Sequence, residues 1–124
     1  MAVVNLADIR KPVGNTGAEL GATDLGGFSV VAHLIPTGLD YTELLRAACG
    51  EILCPVPHYF VVTRGTLEVE YTSGARERVQ AGEVAYTPPG HTIRAIDEVE
   101  MAEISPADGN QFLMARIAAT GLLG

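Results

Sequence analysis

The side chains of this chain that are best suited to chemistry at neutral pH are its three histidines and a cysteine close to one of them. Cys54 and His58 are four residues apart, His91 follows a Pro-Pro-Gly sequence, and His33 lies upstream in an apolar run. Histidine changes protonation close to neutral pH, so it can act as a general acid or base. Thiolate and imidazole are also suitable ligands for Zn²⁺ and Fe²⁺. These residues therefore indicate acid–base chemistry or a metal centre, provided that the fold brings them together.

The same residues lie on or beside segments with the patterns of β-strands. In the run 66–71, apolar and polar side chains alternate, which is typical of a strand with one buried face. The runs 28–35 and 58–63 are mostly apolar on both faces, so both faces are expected to be covered. Further strands are predicted at 59–64, 76–80, 83–87, 92–96 and 98–104, with residues 1–25 forming short strands or an arm. Many short strands with frequent glycine and proline favour a sandwich or a small barrel.

Turn and cap signals separate these segments. Ser73-Gly74 predicts a hairpin turn, and Pro89-Gly90 suits the central positions of a type II turn, from which His91 would emerge. The sequence Asp40-Tyr41-Thr42-Glu43 has the spacing of a helix N-cap with a reciprocal partner, so a short helix is expected near 40–49. The apolar tail 111–117 is expected to pack on the body of the protein.

Length and charge restrict the class of protein. The chain of 124 residues is expected to form one domain, residues 1–124, because this length supports one hydrophobic core. A net charge of −7 argues against nucleic acid as a partner, since phosphate contacts need a basic surface. No apolar run approaches the ~20 residues that span a bilayer, and the N-terminus lacks the pattern of a signal peptide. We therefore expect a cytoplasmic protein that binds neither membrane nor nucleic acid; whether it forms a homodimer is left open.

The glycines and prolines of the segment 54–96 resemble the two sequence motifs of the cupin superfamily. The closing glycine of the first motif matches Gly65, and the glycines and proline of the second match Gly82, Pro88 and Gly90. The resemblance implies an all-β, single-domain fold, a cupin-type jelly-roll β-barrel with at most one short helix near 40–49. It also implies a cavity inside the barrel that holds a small organic molecule as substrate.

The metal-ligand positions of these motifs carry other residues in this chain. The Glu position falls on His58, the second His position on Cys54, and the remaining His positions on Ile52 and Ile93. The usual histidine-rich site is therefore not expected, and no cofactor is favoured. A divalent metal, zinc or iron, held by Cys54, His58 and His91 is the alternative.

The resemblance also implies which strand faces line the cavity, and with them a set of site residues. The catalytic candidates are His58 as the main base, with His33 or Tyr86 as the second proton-transfer group; the substrate-binding candidates are Phe60, Tyr71, His91, Cys54 and Ile93. The favoured function is a small-molecule-binding cupin enzyme with metal-independent acid–base chemistry, of the dehydratase, isomerase or cyclase type. The alternatives are a metal-dependent oxygenase or lyase and a non-catalytic ligand-binding module.

Overall fold

Two antiparallel β-sheets face each other across an apolar interior in the computed structural model, which describes residues 2–123. The first sheet contains, in spatial order, β1 (Lys11–Pro12), β2 (Glu19–Leu25), β3 (Phe28–Ile35), β9 (Val99–Pro106), β4 (His58–Arg64) and β7 (Val84–Thr87). The second contains β6 (Arg76–Gln80), β5 (Thr66–Tyr71) and β8 (His91–Ala95). The helices are α1 (Leu6–Ile9), α2 (Thr42–Cys49) and α3 (Ala107–Thr120), and a 3₁₀ turn at Gly50–Ile52 follows α2.

The interior between the sheets is filled by alternate side chains of facing strands, as a period of two requires. Phe60 and Val62 of β4 pack in one apolar cluster with Leu67 and Val69 of β5, and all of them are buried. Removing such side chains from water is the main favourable contribution to folding. Because every strand pair within residues 2–123 is antiparallel and the sheets form a sandwich, the prediction of an all-β jelly roll is confirmed.

The helix expected near 40–49 is present as α2, which ends where Gly50 takes up a positive φ of 77°. One half of the predicted N-terminal cap forms, since the Asp40 carboxylate accepts a hydrogen bond from the Thr42 amide at 2.8 Å. None of the helices within residues 2–123 is long and apolar enough to cross a membrane.

The limit of one short helix is wrong, because α1 and the longer α3 form in addition to α2. Leu113 of α3 packs with Leu45 of α2, and the Arg116 side chain donates a hydrogen bond to the Ala48 carbonyl at 2.8 Å. The tail thus packs on the body, as expected, but does so as a helix. Apolar residues three and four positions apart share one helical face, so Leu113 and Ile117 gave a usable signal for α3.

The N-terminal segment lies against the outer face of the first sheet. Arg10, which follows α1, lies 3.5 Å from Glu19 of β2 and 3.3 Å from Glu100 of β9 in ion pairs. A Cβ atom at Gly21 would lie only 1.6 Å from the Ile9 carbonyl oxygen, so a side chain there would push the segment away from β2. The sequence predicted short strands or an arm for residues 1–25, and the described part of this region forms α1, β1 and β2.

Candidate functional site

A cavity of about 200 Å³ lies between the two sheets, and α2 and α3 contribute to its wall. Most of this wall is apolar, with side chains such as Val31, Phe60 and Leu113. Its polar and sulfur-bearing groups include His33 of β3, His58 of β4, His91 of β8, Glu103 of β9 and Cys54 just before β4. Residues far apart in the chain are thus brought to one cavity because β3, β9 and β4 are neighbours in the first sheet.

Most of the predicted site residues reach this cavity. They are His33, Cys54, His58, Phe60, His91 and Ile93. Cys54 and His91 are each only 2% exposed, so they belong to the interior of the protein and not to the mouth of the cavity. Their chemical roles stay predictions.

The prediction that Tyr86 faces the cavity is wrong, and Tyr71, although it packs against the interior cluster as its strand face predicted, is not part of the cavity wall. Tyr86 is 52% exposed and packs against Tyr59 on the outer face of the first sheet, with the ring centroids 5.2 Å apart. A shift of one residue in a strand exchanges its faces, and in β7 it is Thr87, fully buried, that points inward. Tyr71 lies at the edge of the core, where its hydroxyl donates a hydrogen bond to the Glu77 carboxylate.

The Pro-Pro-Gly corner ties Cys54 to His91. The Cys54 amide donates a hydrogen bond to the His91 carbonyl at 2.9 Å, and the Gly90 amide donates one to the Cys54 carbonyl at 2.8 Å. Gly90 has a φ of 91°, as a type II turn requires at this position. Leu53, directly before Cys54, has a φ of 63°, which is uncommon for a residue with a side chain and costs free energy. The backbone therefore holds the thiol and the imidazole side by side.

Replacing Gly90 by valine is expected to destabilise the protein by roughly 1–3 kcal/mol, the range for strained backbone positions. The added Cβ would lie 3.2 Å from the Thr72 hydroxyl, and the strain would displace the neighbouring His91. Urea unfolding measures the loss of stability. Gly74→Val is the control for backbone strain alone, because Gly74 has the same φ of 91° but lies in open space outside the cavity wall; it should lose stability through strain without displacing His91. A Gly90→Val protein as stable as the parent would contradict the turn assignment.

Glu103 joins two of the histidines through its carboxylate. Oε1 lies 2.8 Å from His33 Nε2, and the two atoms form a hydrogen bond. Oε2 lies 3.0 Å from His58 Nδ1, a close electrostatic contact whose angle falls outside hydrogen-bond geometry. A buried carboxylate needs such partners, because an unpaired buried charge is costly. Burial alone raises the pKa of Glu103, but His58, His33 and His91 in their protonated forms, together with the hydrogen bond from His33, outweigh it and bring the pKa to about 2.

The contacts of His58 and His91 decide where their ring protons lie. A carboxylate oxygen 3.0 Å away places the His58 proton on Nδ1, so Nε2 carries the lone pair and faces Cys54 Sγ at 3.1 Å. In His91, Nδ1 lies 2.8 Å from the Pro88 carbonyl oxygen, so Nδ1 carries the ring proton and donates a hydrogen bond to that oxygen, and the lone pair is on Nε2. The two rings are neighbours, with centroids 5.3 Å apart. Both imidazoles thus keep one nitrogen free for a ligand or a proton.

Burial keeps these groups uncharged at neutral pH. It lowers the pKa of His91 to about 4, and it lowers the pKa of His58 despite the opposing effect of Glu103. Burial also raises the pKa of the Cys54 thiol to about 12. A nucleophilic cysteine needs a thiolate, so this environment argues against Cys54 as a nucleophile acting alone.

The residues present fit a metal ion. The ligand atoms of Cys54, His58 and His91 all lie within 4.8 Å of one another, and all three side chains are buried. One thiolate with two imidazoles is a donor set that suits zinc, and iron less specifically. A metal-binding histidine usually donates its other ring N–H to a carboxylate or a backbone carbonyl. His91 does so toward the Pro88 carbonyl, and His58 Nδ1 faces the Glu103 carboxylate at 3.0 Å. The metal site that the sequence analysis gave as the alternative therefore has suitable ligand atoms in the structure.

Glu103 is the functional candidate that sequence reasoning missed. It lies in the segment 98–104, which was predicted as a strand, and shares a face with the buried Val99 and Met101. An acidic residue on an otherwise apolar face of a strand was the available signal, since carboxylates are almost never buried without partners. Its partner could not be read from the sequence, because His33 is 70 residues away.

Comparison with solved structures identifies the class of fold. An RmlC-like cupin from Shewanella frigidimarina superposes with a TM-score of 0.57 at 15% identity, covering 82% of this chain and 86% of that one. A protein of unknown function from Rhizobium leguminosarum bv. viciae gives a TM-score of 0.64 at 20% identity, covering 85% and 95%. Ectoine synthase from P. lautus gives 0.60 at 19% identity, covering 86% and 78%.

The chain therefore has the cupin fold, as its glycine and proline pattern implied. Neither a family model nor a curated protein sequence matches it. At the identities of these structures the likeness establishes the fold alone, and the activity has to be argued from the site.

Proposed function

We propose that this chain is a small-molecule enzyme whose reaction takes place beside one divalent metal ion held by Cys54, His58 and His91. The observation that carries the proposal is the donor set, with its ligand atoms within 4.8 Å of one another at the wall of an apolar cavity. A centre with three protein ligands keeps one position open for water or substrate, which is typical of catalytic zinc sites. One protein of similar fold, ectoine synthase, is an enzyme, so the fold is compatible with catalysis.

Such an ion, when bound, supplies Lewis-acid activation of an oxygen atom or a water of lowered pKa. The chain's own residues provide the surroundings. Glu103 holds the His58 proton on Nδ1 and so keeps Nε2 available as a ligand. His33 donates to the other oxygen of Glu103 and fixes that carboxylate. Apolar side chains such as Phe60 and Ile93 line the cavity and exclude bulk water.

Protein purified without chelators is expected to contain about one zinc or iron per chain, measured by elemental analysis. Removing the metal should also lower stability, because an ion that binds only the folded state stabilises it by about 4 kcal/mol when its free concentration is 1,000 times Kd. Chelation should therefore lower the unfolding temperature.

The two cysteines give a matched control for this experiment. Cys54→Ser is expected to lose the metal, whereas Cys49→Ser should retain it because Cys49 lies outside the donor set. Protein that stays metal-free after incubation with Zn²⁺ and with Fe²⁺ would contradict the proposed centre.

The contact chain from His33 through Glu103 to His58 favours a second candidate, metal-independent acid–base chemistry of the dehydratase, isomerase or cyclase type. A neutral His58 would be the base, since its lowered pKa leaves Nε2 unprotonated at neutral pH. This Nε2 already contacts the Cys54 thiol at 3.1 Å. The two atoms are therefore better placed to bind one metal ion together than His58 is to act as a base toward a substrate. Turnover that survives complete removal of metal would decide for the second candidate.

A further inference from the structure

One polar side chain in the cavity wall has no part in the cluster of Cys54, His58, His91 and Glu103. Asn110, in the first turn of α3, is only 5% exposed, and its Oδ1 has no hydrogen-bond partner within residues 2–123. A buried amide without a partner loses the hydrogen bonds that water would give it, so native structures rarely contain one without a reason. Asn110 is also part of the wall of the cavity, so a bound molecule can supply the missing partner.

A second unpartnered acceptor lies in the same wall. His33 donates its Nε2 proton to Glu103, so its Nδ1 carries a lone pair, and this buried atom has no partner either. A ligand that satisfies these groups must offer at least one hydrogen-bond donor. A hydroxyl both donates and accepts, so it can pair with the Asn110 amide in either orientation of that amide.

The rest of the cavity restricts the size and charge of the ligand. A cavity of ~150 Å³ in another protein holds benzene. The volume of about 200 Å³ here therefore suits a slightly larger molecule, of roughly seven to nine non-hydrogen atoms. Most of the wall is apolar, and the charged side chains that line it within residues 2–123 are the carboxylates of Glu103 and Asp40, of which Asp40 is paired with Arg94. In the proposed centre the Cys54 thiolate and the Glu103 carboxylate together balance the two charges of a divalent ion, so no charge is left for an ionic ligand and the wall favours a neutral one.

We infer that the substrate is a compact, neutral and mostly apolar organic molecule with a hydroxyl group that hydrogen-bonds to Asn110. This inference rests on the proposed function, because it concerns the same cavity. It adds Asn110 as a residue that determines specificity, at a place in the wall that contributes nothing to the metal ligands. Leu113 and Ile117 of the same helix supply part of the apolar surface beside it.

The test compares benzyl alcohol with toluene, which differ by one hydroxymethyl group in place of a methyl group. Toluene would leave the buried amide without a partner, and one hydrogen bond is worth ~0.5–1.5 kcal/mol, so the parent protein should bind the alcohol roughly 2- to 13-fold more tightly. Asn110→Leu keeps the shape of the side chain and should lose this preference while still binding toluene. Titration calorimetry of both probes measures the ratio. Gln111→Leu, at an exposed position of the same helix, is the control and should keep the preference.

The outcomes separate this inference from the proposed metal centre. Each titration is done on metal-loaded and on metal-free protein, with the metal content measured in the same samples. An Asn110-dependent preference in protein that binds no metal would overturn the metal centre and leave this inference standing. Metal-loaded protein that binds neither probe, or that keeps the preference in Asn110→Leu, would overturn the inference alone. Should Asn110→Leu not fold, Asn110→Ala replaces it, because alanine removes the amide without adding branched volume.

Discussion

Replacing Glu103 by glutamine is expected to weaken metal binding by about 10- to 100-fold, the range found when the partner of a metal-ligating histidine is changed. The carboxylate faces ring nitrogens of His33 and His58 with one oxygen each, at 2.8 and 3.0 Å. Glutamine has a single oxygen, so its amide N–H would face one of the two ring N–H groups. If the amide N–H faces His58, the His58 ring avoids the donor–donor contact by carrying its proton on Nε2 instead of Nδ1. Nε2 then has no lone pair with which to bind the metal.

Competition with a chelator of known affinity measures this change in the dissociation constant. Glu100→Gln is the matched control, since Glu100 lies in the same strand but forms its ion pair with Arg10 away from the donor set. Its metal affinity should equal that of the parent. Glu103→Asp keeps the charge and should recover part of the loss. If Glu103→Gln and the parent bind metal equally well, Glu103 does not position His58.

Replacing Gly65 by alanine is expected to destabilise the protein by roughly 2–4 kcal/mol, because two costs act together. Gly65 has a φ of 82°, a conformation that residues with a side chain rarely adopt. A Cβ atom there would also lie 2.0 Å from the Glu98 carbonyl oxygen, so the backbone between β8 and β9 would have to move. Equilibrium unfolding in urea gives the difference in the free energy of unfolding.

Gly82→Ala separates the two costs. Gly82 has a similar φ of 90°, but nothing lies within 4 Å of a Cβ atom placed there, so only the backbone strain should appear. We expect that variant to lose about 1 kcal/mol, the usual cost of a left-handed conformation for a residue with a side chain. Equal losses in the two variants would mean that the contact with Glu98 relaxes freely.

Much of the fold could be predicted because its requirements are local. Gly65, Gly82 and Gly90 have positive φ, and glycine at such positions is visible in the sequence wherever a turn demands it. The alternation in the run 66–71 likewise specified β5, which spans Thr66–Tyr71. Helix α3 also left a local signal in the spacing of Leu113 and Ile117, but the prediction for residues 111–117 specified only apolar packing and no helix.

The faces of a short strand were less well determined. In β7 the apolar residues Val84 and Tyr86 alternate with Ala85 and Thr87, and the strand faces expected from the resemblance assigned the pair Val84 and Tyr86 to the interior. The structure places that pair outside, with Tyr86 against Tyr59. The register of β7 is set by its pairing with β4, where His58 lies opposite Thr87. Pairing of this kind depends on the whole sheet, and a strand of four residues has too short a pattern to override it.

The sequence by itself determined the strands, the tight turns and the residue types that could carry chemistry, because each of these depends on neighbours along the chain. Only the tertiary structure decided which of those residues meet. Glu103 reaches His33 and His58 because β9 lies between β3 and β4, and Cys54 reaches His91 through the Pro-Pro-Gly corner. Such contacts join distant parts of the chain, and their geometry follows from strand order and register, which no local pattern of residues contains.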